Sequence, residues 1–306
     1  VVLVAHEHHH HHSAHRAGAR HAGALRGALA VNVVMFLIEV TVAIGAHSLA
    51  LLSEGVHVLT DAVGVGMALA AIGLGNRMPR EGTRTFGVYR LEILAALANA
   101  LLLFGAAGYV LFEAVDRLRT APSVSAAPIV VVGILGLAAN ALGFALVRAG
   151  ARESLVVEGA AIDMLADTIG SCGVIAAGVI AATTGWTRAD PIVGALIALW
   201  ILPRAWSLAA RSLRILMQVA PPQLDLAAVQ RDLAGLDRVV GVHDLHVWTL
   251  TSDMEVASAH LVVESAHDVH AVLDGARALL HDRYDIAHAT LQVEPSDHTG
   301  CEELNW

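Results

Sequence analysis

From Thr120 to Val147 the chain runs without an Asp, Glu, Lys or Arg, and it does so again from Ile93 to Phe112. A helix needs about 20 apolar residues to cross the hydrocarbon core of a bilayer. Six stretches of that kind are read, at roughly 25–45, 49–75, 91–112, 126–148, 155–183 and 190–213. Only 15% of the residues are charged, against about 25% in soluble domains. Most of this chain therefore reads as a membrane domain, residues 25–214, of six transmembrane helices. Cys172 and Cys301 are too few and too far apart for a disulfide framework. A net charge of −9 argues against nucleic acid as a partner.

Arginine bias gives the expected orientation. With the N-terminus inside, the cytoplasmic segments hold Arg16, Arg20, Arg26, Arg77, Arg80, Arg84, Arg90, Arg148, Arg152, Arg204, Arg211 and Arg214, whereas the outer loops hold only Arg117, Arg119 and Arg188. The expectation is a multi-pass cell-membrane protein with both ends in the cytoplasm. The polar start lacks the short apolar region of a signal peptide. Residues 1–24 form a histidine-rich tail, and 8 of the 18 histidines lie before residue 22. That run reads as a loosely metal-collecting segment, with a leftover purification tag as the alternative.

From about Gln218 the texture becomes that of a soluble domain, spanning 218–295, with 296–306 as a tail. Leu224–Leu236 is an amphipathic helix pattern, and Val239–Leu250 and Met254–Val263 alternate as strands do. His267–Tyr284 reads as a helix and His288–Glu294 as a strand. The order α-β-β-α-β predicts a small, ferredoxin-like α+β sandwich with helices on one face of the sheet.

The membrane segments carry two pairs of metal-ligating residues at one helical spacing. His57 and Asp61 lie four apart in the second span, and Asp163 and Asp167 four apart in the fifth. Residues four apart share a helix face. At 1.5 Å per residue, His57 and Asp61 lie about 12 and 18 Å from the outer end, and Asp163 and Asp167 about 12 and 18 Å from the inner end. Both pairs thus reach the midplane, where one imidazole and three carboxylates suit a tetrahedral divalent cation. Three buried aspartates cost roughly 9 kcal/mol on the insertion scale. No arginine is expected at that depth to neutralise them, so the ligand set points to a metal ion or protons. Glu39, Asn32, Asn99 and Asn140 read as fasteners between helices, Glu54 as an outer-mouth group and Ser171 as a partner of the aspartate face.

Residues 48–61, SLALLSEGVHVLTD, and 159–171, GAAIDMLADTIGS, resemble the second and fifth membrane helices of the cation diffusion facilitator family. Phe86–Glu92, Asp190-Pro191, GVHDLHVWTLTS at 241–252, Ser258-Ala259-His260 and Ala289–Glu294 extend the resemblance over about 25–295. It implies a homodimeric exporter of divalent metal, usually zinc, driven by proton exchange, with a metallochaperone-like cytoplasmic domain for dimerisation and metal sensing. It also implies a cytoplasmic metal site at His243, His260 and Glu294, with His270 on the following helix as a bridge. His246, in phase with Trp248, reads as packing. Zinc-selective relatives commonly carry His-x-x-x-Asp in both helices. Asp163 replaces the second histidine here, which leaves Mn²⁺, Fe²⁺, Co²⁺ and Cd²⁺ open as cargo beside Zn²⁺. The loop 75–90 has no histidine, so the metal site that some relatives hold there is not expected. No enzymatic activity and no cofactor are expected, only transported and regulatory metal, protons and lipid. Two remote rivals are an intramembrane aspartic hydrolase and a metal sensor.

Overall fold

The computed structural model describes residues 12–75, 86, 89–147, 155–251, 254–265 and 268–297; the side chains of 12–25, 71–75, 145–147 and 155–166, with a few single positions, lie outside the described residues. The N-terminal run 1–11 also lies outside them. Six long helices come first: α1 (His12–Ala46), α2 (Leu49–Gly75), α3 (Arg90–Thr120), α4 (Ala126–Val147), α5 (Leu155–Thr184) and α6 (Ala189–Leu216). Among the described residues, α1, α3, α5 and α6 each contain an apolar segment long enough to cross a membrane, and Ala126–Leu142 in α4 is a shorter one. α1 starts at His12, so half of the expected tail is helical. Its alanines at 14, 17, 19, 22 and 24 explain this, since alanine is the strongest helix former and no proline interrupts them.

The chain divides into two compact units, Val1–Pro79 with Ala95–Ala209, and Arg80–Leu94 with Ala210–Trp306. In the first, α1 packs on α2 and α4, and α5 packs on α4 and α2. Small residues set these contacts. A methyl added at Gly178 of α5 would lie 2.8 Å from Val130, and one at Gly133 of α4 the same distance from Ile175. Helices in lipid gain no hydrophobic drive from meeting each other, so close backbone approach is what holds them. Ala43, Ala46, Ala50, Leu51, Ile129, Val132, Val174 and Ala177 form the packed centre. Phe112, Trp200 and Trp206 are two-thirds or more exposed, an outer surface suited to lipid rather than water.

The second unit contains α7 (Leu226–Ala234), β1 (Val239–Thr251), β2 (Met254–Val263), α8 (Val269–Tyr284) and β3 (His288–Pro295). Asp225 caps α7, its Oδ1 accepting from Ala227 N at 3.0 Å. Asp285 adopts φ 55° at the end of α8, and Ile286 N donates to Leu280 O at 2.9 Å, closing the helix. The sheet order is β1-β2-β3, with β1 antiparallel and β3 parallel to the central strand. A parallel neighbour needs a crossover, and α8 supplies it. Val229 and Leu233 of α7, Val272, Ala276 and Leu280 of α8, and Val247, Leu261 and Val263 of the sheet form one buried core.

Candidate metal centre

The start of α2 is held by α6. Asp190, 1% exposed, accepts from Ser48 Oγ at 2.5 Å, Leu49 N at 2.6 Å and Ala50 N at 3.4 Å. Ser48 Oγ in turn accepts from Leu51 N at 3.1 Å. The first amides of a helix have no partner within it, and a carboxylate there also meets the positive end of the helix dipole. Gly194 lets the helices touch, since a methyl there would lie 2.8 Å from the Leu49 carbonyl carbon. This fixes where the polar face of α2 falls.

On that face, His57 and Asp61 meet Asp167 of α5, with one ligand atom of each lying within 4.8 Å of the others. His57 and Asp167 are 6% and 7% exposed, and Asp61 is half-buried. His57 Nε2 and Asp167 Oδ1 are 2.6 Å apart, yet Asp167 Oδ1 receives no directed hydrogen bond and His57 Nδ1 has no partner. Buried polar atoms are seldom left so. An imidazole nitrogen and two carboxylates that converge in this way fit a shared cation. Asp163 lies one turn earlier in α5, and its side chain is outside the described residues.

The expectation that no arginine reaches this depth is corrected. Arg204 of α6 places Nη2 3.2 Å from Asp61 Oδ1. Its long apolar stem carries the charge inward from a helix that reads as leaving the membrane. Ser171 also differs from expectation: its Oγ donates to Glu54 Oε1 at 3.2 Å rather than serving Asp167. Asn140 Nδ2 donates to that hydroxyl at 3.5 Å, fastening α4 to α5 as expected of an intramembrane amide.

In the C-terminal sheet, His243 of β1 pairs directly with His260 of β2. Their rings are edge-to-face with centroids 4.9 Å apart. His243 Nε2 lies 2.7 Å from Glu294 Oε1, and His260 Nδ1 lies 3.9 Å from the same oxygen. Gln292, opposite His260 in the register, donates Nε2 to Glu294 Oε2 at 3.2 Å and so orients the carboxylate. Nδ1 of both histidines is buried without a hydrogen bond. A register shift between His243 and His246, with Asp244 at φ 50°, marks a bulge that brings Asp244 into reach of both histidines. Asp244 lies outside the ligand set that the resemblance implies, and a bulge leaves no mark in strand alternation. His270 is exposed on α8, outside this grouping among the described residues, and His246 is exposed rather than packed.

An imidazole and carboxylates gathered inside a bundle of long apolar helices fit the class of multi-pass membrane proteins that handle cations. Residues 25–217 match the family model for the cation efflux transmembrane domain, and residues 221–296 match that for the cation efflux protein cytoplasmic domain. The chain belongs to the cation diffusion facilitator family of metal-cation exporters. It is 40% identical over 282 residues to the metal cation efflux system protein CzcD of Cupriavidus metallidurans, covering 92% of this chain and 88% of that one. It is 38% identical over 293 residues to the zinc transporter ZitB of Escherichia coli, covering 95% and 93%. A cadmium, cobalt and zinc/H(+)-K(+) antiporter of Bacillus subtilis is 30% identical over 284 residues, covering 90% and 91%.

Proposed function

We propose that the chain is a homodimeric, proton-coupled antiporter that exports Zn²⁺ from the cytoplasm by alternating access through six membrane spans. The observation that carries this reading is the convergence of His57, Asp61 and Asp167, with one ligand atom of each within 4.8 Å of the others and His57 Nδ1 buried without a hydrogen bond. Asp163, one turn from Asp167, is assigned as the fourth ligand. Metal binding requires neutral imidazole and ionised carboxylates, so the arriving ion displaces protons. Facing an acidic exterior, the same groups regain protons and release the ion, and histidine titrates in the range this exchange needs. Arginine bias supports cytoplasmic placement of both ends. His243, His260, Glu294 and Asp244 are assigned to a regulatory metal site in the cytoplasmic domain. The relatives named for zinc, cadmium and cobalt support the cargo class.

A second reading keeps the mechanism and makes a harder ion such as Mn²⁺ the main cargo. The single imidazole among three acidic positions favours it. Proteoliposomes with a metal-sensitive dye inside test both. Zn²⁺ entry that rises with an opposing proton gradient supports the first, and a gradient without effect sinks proton coupling. Preference for Mn²⁺ over Zn²⁺ in competition selects the second.

A further inference from the structure

One turn beyond the His57–Asp167 pair, the bundle holds two further acidic side chains. Glu39 of α1 and Glu54 of α2 are each 2% exposed, and Oε2 of each is buried without a donor. Glu54 precedes His57 by three residues and Ser171 follows Asp167 by four, so Glu54–Ser171 and His57–Asp167 are successive rungs between antiparallel helices. Their separation along the helices is about 5 Å. The second rung lies toward the start of α2 and the end of α5.

Two glycines shape the space around these carboxylates. A methyl at Gly136 of α4 would lie 3.3 Å from both Glu39 Oε1 and Ser171 Oγ. A methyl at Gly170 of α5 would collide with Glu54 Oε2 and lie 3.0 Å from Glu54 Cδ. Gly55 lets α1 approach, since a methyl there would be 3.4 Å from Glu39 Cβ. Four helices thus gather the Glu39 and Glu54 carboxylates and the Ser171 hydroxyl into one buried polar cluster. Burying carboxylate oxygens without donors is costly, and a simple fastening would pair them.

We propose that Glu39, Glu54 and Ser171 form a second station for a divalent cation, distinct from the His57, Asp61, Asp163 and Asp167 site. An all-oxygen set holds hard divalent ions such as Mn²⁺ and Mg²⁺, and it holds Zn²⁺ more weakly than a set with imidazole does. An ion leaving His57 therefore meets a weaker site one turn onward, and multi-site passage of this kind favours release. Only its place on the export route rests on the antiport reading; the binding itself does not.

The test is equilibrium binding of Mn²⁺ to the purified full-length protein in lipid nanodiscs, with Zn²⁺ flux measured in parallel. Glu39→Gln with Glu54→Gln is expected to bind about one Mn²⁺ fewer per chain than wild type and to lose at least ~10-fold in flux, as removal of charged ligands should cause. His57→Ala with Asp167→Asn should retain that Mn²⁺ while losing flux. Equal Mn²⁺ stoichiometry in the Glu39/Glu54 variant and wild type would overturn the station. Should that variant fail to fold, Gly170→Ala serves, because it fills the space without removing a charge; unchanged Mn²⁺ binding there overturns the station as well. Wild type that shows no flux sinks the antiport reading and leaves the Mn²⁺ count as evidence for or against the station.

Discussion

At the scale of single residues, the candidate site is a competition for carboxylate oxygens. Asp167 sets its Oδ1 against His57 Nε2 at 2.6 Å, the two atoms a shared cation would take, so Asp167→Ala should abolish flux in proteoliposomes while gel filtration shows an unchanged dimer. Flux at the wild-type rate would remove Asp167 from the pathway. Asp61 differs because Arg204 is already beside it. A cation that binds Asp61 must displace that guanidinium or share the carboxylate with it. The pair is partly exposed, which limits its worth to about 1 kcal/mol. Arg204→Gln should therefore tighten Zn²⁺ binding by about fivefold, measured by calorimetry on the purified protein. Weaker binding would mean that Arg204 orients Asp61 for the metal instead of competing for it.

Elements are held in place by contacts that reach far along the chain. Asp190 satisfies the opening amides of α2 from the start of α6, and α2 carries His57 and Asp61. Losing a cap costs about 1–2 kcal/mol. Asp190→Ala should lower the thermal midpoint by several degrees and reduce flux together with it; a lowered midpoint with wild-type flux would show that α2 keeps its position without the cap. In the C-terminal unit, Tyr284 at the end of α8 donates its hydroxyl to Asp232 of α7 at 2.5 Å. Partial burial, and then this bond to Asp232, push the Tyr284 hydroxyl above its ordinary range. A raised value means that the contact stabilises fully below the free tyrosine value of about 10 and is lost as pH climbs through the folded one. Tyr284→Phe should cost about 1 kcal/mol near neutral pH, and the deficit should shrink above pH ~10 in denaturant titrations. A deficit that stays constant with pH would assign it to packing.

At the scale of the whole molecule, the export reading joins two metal-binding regions with different tasks. A cytoplasmic site that senses metal changes how much cargo starts transport, and a site within the membrane decides whether any crosses. The two are coupled only if the transporter's conformations bind cytoplasmic metal with different affinity. His243→Ala with His260→Ala should therefore raise the Zn²⁺ concentration for half-maximal flux several-fold, on the order of 1 kcal/mol of coupling, without abolishing transport. An unchanged half-saturation point would leave those histidines structural, and complete loss would place them on the pathway itself.

Sequence alone determined what local chemistry encodes. The apolar lengths set the helices, because leaving charge in lipid is costly wherever it occurs. The four-residue spacing of His57 and Asp61 put both on one face, because the helix repeat does so in any fold. Alternation marked β1 and β2. Tertiary structure alone decided the partners. Nothing in the spacing of α6 says that Arg204 reaches Asp61 or that Asp190 caps α2, because periodicity defines a helix's own face and not the neighbour it meets. The cluster of Glu39, Glu54 and Ser171 draws on three helices, packed against glycines of α4 and α5, and it exists only once small residues let those backbones close together. Asp244 joined the histidines through a bulge, a backbone irregularity that side-chain alternation does not register.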